Sequence, residues 1–143
     1  MNGEIINFYS ENDFELEGKP AYEDWLKRVI SSEGKKTGEI SFIFCNDEYL
    51  HKINLEYLDH DTYTDIISFD ATVGKILGGD IFISTERVKE NAGTFEVSFD
   101  RELQRVMVHG ILHFAGYKDK TPGDKEVMRS KEEEKMKMFH VEQ

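Results

Sequence analysis

Apolar positions along the chain recur in two rhythms, one suited to strands and one to helices. Residues 4–9 (Glu4, Ile5, Ile6, Asn7, Phe8, Tyr9) are rich in strand formers and run into a turn-prone segment with Asn12, Gly18 and Pro20. From Pro20 onward Tyr22, Trp25, Leu26, Val29 and Ile30 recur at three- and four-residue spacing, which predicts an amphipathic helix over residues 20–32, ended by Gly34. Residues 39–45 predict a second strand. Asn46 or Asp47 then caps a helix whose expected apolar face is Tyr49, Leu50, Ile53, Leu55 or Tyr57, and Leu58. Residues 64–69 and 79–84 are two β-branched and aromatic runs separated by Gly74 and Gly78, the pattern of a hairpin. Ser84 opens a polar helix to about Phe95. Ser98 opens a strongly apolar one with Phe99, Leu103, Val106, Met107, Ile111, Leu112 and Phe114, which Gly116 stops. Thr121-Pro122 starts a charged last helix through about Phe139, with Val127, Met128, Met136 and Met138 as its apolar points.

This order predicts the α+β class: one mixed sheet of about four strands packed by helices. Without a repeat or a low-complexity linker, residues 1–143 are expected to form a single domain. Ten Phe, six Tyr and one Trp supply a core that the lone Cys45 could not support with an internal disulfide, and Cys45 itself is expected in that core. No apolar run reaches the ~20 residues of a membrane-spanning helix. The opening Met1-Asn2-Gly3-Glu4 has neither the basic stretch nor the apolar run of a leader, so an unexported, cytoplasmic protein is expected. The net charge of −11 argues against a nucleic-acid partner until it is located: residues 1–70 hold 16 acids against 6 bases, residues 71–118 are balanced, and residues 119–143 carry one acid in excess. A polyanion can therefore approach the second half of the chain.

The chemistry concentrates in that half. His109 and His113, four apart on the predicted apolar helix, share one face and can address one ion. Gly116 then lets the chain leave the helix in a left-handed turn, so that Asp119 can return as a third ligand. The spacing H-x-x-x-H-x-x-G-x-x-D repeats the metzincin ligand pattern with Asp in place of the last His, a zincin-like site with two nitrogens, one oxygen and room for water. Metal there would lower the pKa of water towards ~7 and polarise an anionic oxygen, which suits phosphodiesters as well as amides. Gly110 occupies the position where the protease motif has its general-base Glu, which disfavours a small metallopeptidase.

Residues 109–117 read H-G-x-L-H-x-x-G-Y, and with Asn54-x-x-Tyr57, Thr64-Asp65-Ile66-Ile67-Ser68-Phe69 and Gly79-Asp80-Ile81-Phe82-Ile83-Ser84 the chain resembles the YbeY family of single-strand endoribonucleases and rRNA maturation factors. The resemblance runs from about Ile40 to Met136; Glu126-x-Met128 and the acidic residues 132–134 look like that family's carboxy-terminal helix. It implies a zinc-dependent endoribonuclease acting on single-stranded rRNA in small-subunit maturation and ribosome quality control. It also implies one Zn2+ per chain and a ribosomal small-subunit protein or an assembly GTPase as partner. By position, His109 and His113 match the first two zinc ligands, and Asp119 stands where most members have a third His, which leaves Mn2+ or Ni2+ as alternative occupants. Leu58 stands where most members have an Arg after the tyrosine, here Tyr57. His60, Arg101 and Arg105 are the candidates to replace that phosphate or transition-state clamp.

The candidate catalytic residues are therefore His109, Asp80 and Arg105. Arg101 and Arg105, one turn apart, read as a phosphate-binding fork or as solvent-facing arginines. Asp80 reads as a partner behind a ligand histidine or as a turn residue at a strand start. The Glu132-Glu133-Glu134 run, interleaved with Lys131 and Lys135, reads as a solvated helix face. No P-loop, dinucleotide-binding glycine pattern or Ser/His/Asp arrangement is present. The alternative to the nuclease is a non-enzymatic ribosome-assembly module in which a metal pins the final loop, a reading that Leu58 encourages.

Overall fold

Parallel neighbours need a crossover, and the two helical stretches early in the chain supply them. In a computed structural model that describes residues 4–60 and 63–140, β1 (Ile5–Ser10) passes through α1 (Lys19–Ser32) to the parallel strand β2 (Lys36–Cys45). From β2 the chain runs through α2 (Asp47–Leu58) to the edge strand β3 (Ile66–Asp70), which turns antiparallel onto β4 (Ile76–Ser84). β4 in turn lies parallel to β2, giving the order β1-β2-β4-β3. Three helices follow: α3 (Thr85–Phe95), α4 (Phe99–Phe114) and α5 (Pro122–Met136), with a closing 3-10 turn at Lys137–His140. The expected α+β class with a mixed four-stranded sheet and hairpin is what the chain forms. The expectation of an unexported chain rests partly on Met1, Asn2 and Gly3, which lie outside the described residues.

Side chains alternate across each strand, so the sheet has two covered faces. Ile40, Phe42 and Phe44 of β2 and Ile81 and Ile83 of β4 pack with Trp25, Leu26, Val29 and Ile30 of α1 and Leu103, Met107 and Ile111 of α4 in the main core. Cys45, Ile67, Phe69 and Phe82 point the other way, onto Leu50 and Ile53 of α2. Cys45 is fully buried, as expected, and burial pushes its thiol up to about 12. α2 departs from its expected apolar face: Leu50 and Asn54 are buried, whereas Tyr49, Leu55, Tyr57 and Leu58 are exposed. The helix meets only a small patch around Cys45, Ile67, Phe69 and Phe82, so Tyr49 and Tyr57 reach Phe82 and Phe69 from the rim and stay largely exposed.

α4 is the central helix, buried over most of its circumference, with Glu102 and Gln104 among its buried residues. Gly110 explains how closely it approaches the sheet. A Cβ there would lie 3.0 Å from the Ile81 side chain and 3.2 Å from that of Ile66, so any larger residue requires those side chains to give way. A glutamate side chain at this position would have to enter the packed space between α4 and the β3–β4 hairpin. α5 is locked across α1 and α4: Trp25 Nε1 donates to the Lys135 carbonyl (2.8 Å), and Lys135 Nζ pairs with Glu33 (2.8 Å). Burial works to raise the Glu33 carboxyl, but hydrogen bonds from Lys135 and Tyr117 outweigh it and hold it below its ordinary value. Through the Tyr117 hydroxyl, which donates to Glu33 Oε1 (2.8 Å), this network also ties down the loop after α4.

Candidate metal centre

Ser98 starts α4 by accepting the Arg101 backbone N–H (3.1 Å), and the helix carries His109 and His113 on one face near its end. Gly116 then adopts φ +110°, a conformation that suits glycine, while Tyr117 N–H returns to the Leu112 carbonyl (3.0 Å). The chain folds back as the spacing predicts. Asp119 Oδ2 comes to lie 3.2 Å from His109 Nε2 and 3.4 Å from His113 Nε2. One ligand atom from each residue falls within 4.8 Å of the others. Donors held about 2.1 Å from a tetrahedral ion sit roughly 3.4 Å apart, so this separation fits a shared cation.

The protons point the same way. His109 Nδ1 is 2.6 Å from Glu132 Oε2, and an ionised carboxylate only accepts, so the ring proton is assigned to Nδ1. In the neutral ring Nε2 is then the lone-pair nitrogen and faces a carboxylate oxygen of Asp119, an arrangement that a cation between them makes attractive. The imidazoles stand nearly perpendicular, at 82°, with centroids 4.6 Å apart.

Glu132 is the residue sequence reading missed. It is not on a solvated face: it is 2% exposed and bridges His109 and Arg105, accepting from Arg105 Nη1 on Oε1 (3.2 Å). The signal lay in the helix period, because Met128, Glu132, Lys135 and Met136 share one side of α5 and all are buried.

Arg105 is engaged at every guanidinium nitrogen. Nε and Nη2 donate to Glu102, which is itself buried, and Nη1 donates to Glu132. Burial opposes its charge, yet the two carboxylates more than offset this and hold its pKa above the ordinary value. Arg101 turns away to Glu133 (3.3 Å) on the exposed side. The two arginines therefore do not form a fork, and Arg101 takes the solvent-facing alternative. Asp80 also departs from expectation: it is exposed on β4, and strand alternation puts it with Phe82 on the α2 face, across the sheet from the histidines. It cannot support a ligand histidine from there. Leu58 and His60 line none of the site either.

A cavity of about 330 Å3 opens on one side of His109, His113 and Asp119, walled by Thr64 and Ser68 at β3 and by Arg105. A smaller one of about 180 Å3 lies on the far side of His109 and Asp119, bounded by Lys125, Arg129 and Glu132 of α5.

Fold and site together define a class: an α+β chain whose central helix presents two imidazoles and a returning carboxylate as a candidate metal centre. The family model described as Endoribonuclease YbeY matches residues 6–140. A protein of Christiangramia forsetii named Endoribonuclease YbeY is 66% identical over 138 residues, covering 96% of each chain. One of the same name from Flavobacterium johnsoniae is 63% identical over 139 residues, 97% of this chain and 100% of that one. The chain belongs to the YbeY family, as the run at residues 109–117 suggests. A Thermotoga maritima protein whose structure was determined in solution has the same fold, with a TM-score of 0.65 at 23% identity over 94% of this chain and 89% of that one.

Proposed function

We propose that this chain is a metal-dependent endoribonuclease acting on single-stranded rRNA during small-subunit maturation and quality control, with one Zn2+ per chain held by His109, His113 and Asp119. The carrying observation is Asp119 Oδ2 lying within 3.4 Å of both Nε2 atoms while Glu132 occupies His109 Nδ1. Three protein donors, two nitrogens and one oxygen, are the count of a catalytic zinc site and not of a structural one, and Mn2+ or Ni2+ would also accept them. Held by His109, His113 and Asp119, a divalent ion would supply Lewis acidity for water near pH ~7 and for a phosphoryl oxygen.

The chain's own residues do the rest. Glu132 holds the Nδ1 proton and the ring orientation of His109. Arg105, fixed by Glu102, holds Glu132 in turn, so its role is positioning. The Ser68 hydroxyl in the larger cavity is a donor for a phosphate oxygen. The family names its relatives endoribonucleases, which supports the reaction class. Residues 1–143 acting as one domain in the cytoplasm, delivered by a ribosomal small-subunit protein or an assembly GTPase, complete the reading. No helix among the described residues is long and apolar enough to cross a membrane.

The test is reversible metal removal. Chelated protein is expected to lose cleavage of single-stranded rRNA and to regain it with one equivalent of Zn2+; cleavage that survives chelation contradicts the proposal. Leu58 favours a second reading, a non-enzymatic assembly module, because it cannot donate a hydrogen bond where the resemblance has an Arg. If the parent is inactive with metal bound and Leu58→Arg alone confers cleavage, that second reading is correct; equal activity of the two removes it.

A further inference from the structure

A chain of net charge −11 repels a polyanion unless some part of its surface offers cations that no acid already neutralises. On α5, next to the metal centre, two residues meet that condition. Lys125 and Arg129 are exposed, one turn apart on α5, and neither has an ion-pair partner among the described residues. By contrast Arg105 and Arg101 are committed to Glu102, Glu132 and Glu133.

Their direction matters as much as their freedom. Positions 125, 129 and 132 fall on one face of the helix, and Glu132 on that face reaches His109. Lys125 and Arg129 accordingly border the 180 Å3 cavity whose opposite wall is His109 and Asp119. Asp124, the acid nearest in sequence, is occupied in the capping box with Thr121, and Glu126 points about 100° round the helix from Lys125. On the exposed loop that brings Asp119 back, Lys118 and Lys120 are likewise without acidic partners among the described residues.

We infer that Lys125 and Arg129 form a phosphate-docking lip that holds the backbone of a single-stranded RNA beside the His109–His113–Asp119 centre, taking the anion-binding part that Leu58 cannot fill. The inference rests on the endoribonuclease reading and adds the subsite through which the strand is gripped. Lys125 is a mobile point charge and Arg129 a planar fork, and one helical turn between them, about 5.4 Å, lets them engage neighbouring phosphates of an extended strand. The contacts are to backbone alone, so the grip is insensitive to base sequence.

The test is steady-state cleavage of a single-stranded oligoribonucleotide by zinc-loaded full-length protein across a salt series. For Lys125→Gln/Arg129→Gln, KM is expected to rise on the order of tenfold. The slope of log KM against log salt should fall by about 1.4, two contacts at roughly 0.7 each, with kcat within about twofold of the parent. Lys52→Gln/Lys89→Gln removes the same charge from α2 and α3 and is expected to leave both KM and slope near parental values. A parental KM and slope in the α5 variant, or an equal change in the control, overturns the inference while leaving the nuclease reading intact. A parent that fails to cleave single-stranded RNA with zinc bound overturns that reading and the inference with it.

Discussion

His113→Ala, loaded with zinc under the same conditions as the parent, is expected to cleave single-stranded RNA on the order of 10^3-fold more slowly, a loss of several kcal/mol of transition-state stabilisation. The magnitude follows from what the substitution removes. His109 and Asp119 are left as a two-donor site, too few for a catalytic zinc centre. The fold should hardly notice, because His113 is half-buried at the end of α4 and the core residues Met107, Ile111 and Phe114 are untouched. Urea unfolding in metal-free buffer should therefore give nearly the parental midpoint. Cleavage at the parental rate would rule out a reaction that depends on this ion.

Glu132 carries the second large effect, and it divides between binding and stability. In Glu132→Gln the amide can still accept from one neighbour, but the charge that orients His109 and balances Arg105 is gone. Zinc affinity should fall 10–100-fold, the usual cost of removing a hydrogen-bond partner behind a metal-ligating histidine. In Glu132→Ala the Nδ1–H of His109 loses its acceptor, and Arg105, its side chain 20% exposed, keeps only Glu102. A further loss of roughly 2 kcal/mol in folding stability is expected, below the full cost of an unpaired buried charge because one carboxylate remains. Calorimetric zinc titration reads the first effect and urea unfolding the second. If both variants bind zinc as tightly as the parent, the Glu132–His109 contact does not orient the ligand.

These two residues also mark how far the sequence could be read. His109, His113 and Asp119 were legible because helical spacing, a glycine stop and a short return loop are local, and local geometry is what periodicity encodes. The strand order was not read from the sequence, because the insertion of β4 between β2 and β3 is a long-range pairing that no local pattern encodes. Glu132 was obscured by its neighbours: within Lys131-Glu132-Glu133-Glu134-Lys135 composition says solvent, and only the phase set by Met128 and Met136 says interior. Asp80 failed for the complementary reason, since adjacency to Gly78-Gly79 says nothing about which face of a strand a side chain takes. Arg101 and Arg105 share a helix turn, yet the partners that separate them, Glu133 on one side and Glu102 with Glu132 on the other, belong to the packing of α5 against α4. For α2 the apolar pattern overstated burial, because the helix meets a small patch of sheet and leaves Tyr57 68% exposed.

The most direct measurement is elemental analysis of purified protein after exposure to equimolar zinc and desalting, run beside His109→Ala. The expected result is one zinc per parental chain and essentially none in the variant. Equal zinc in both, or none in either, would mean that the two imidazoles and the returning carboxylate do not share a cation, and the metal-dependent reaction would fall with them.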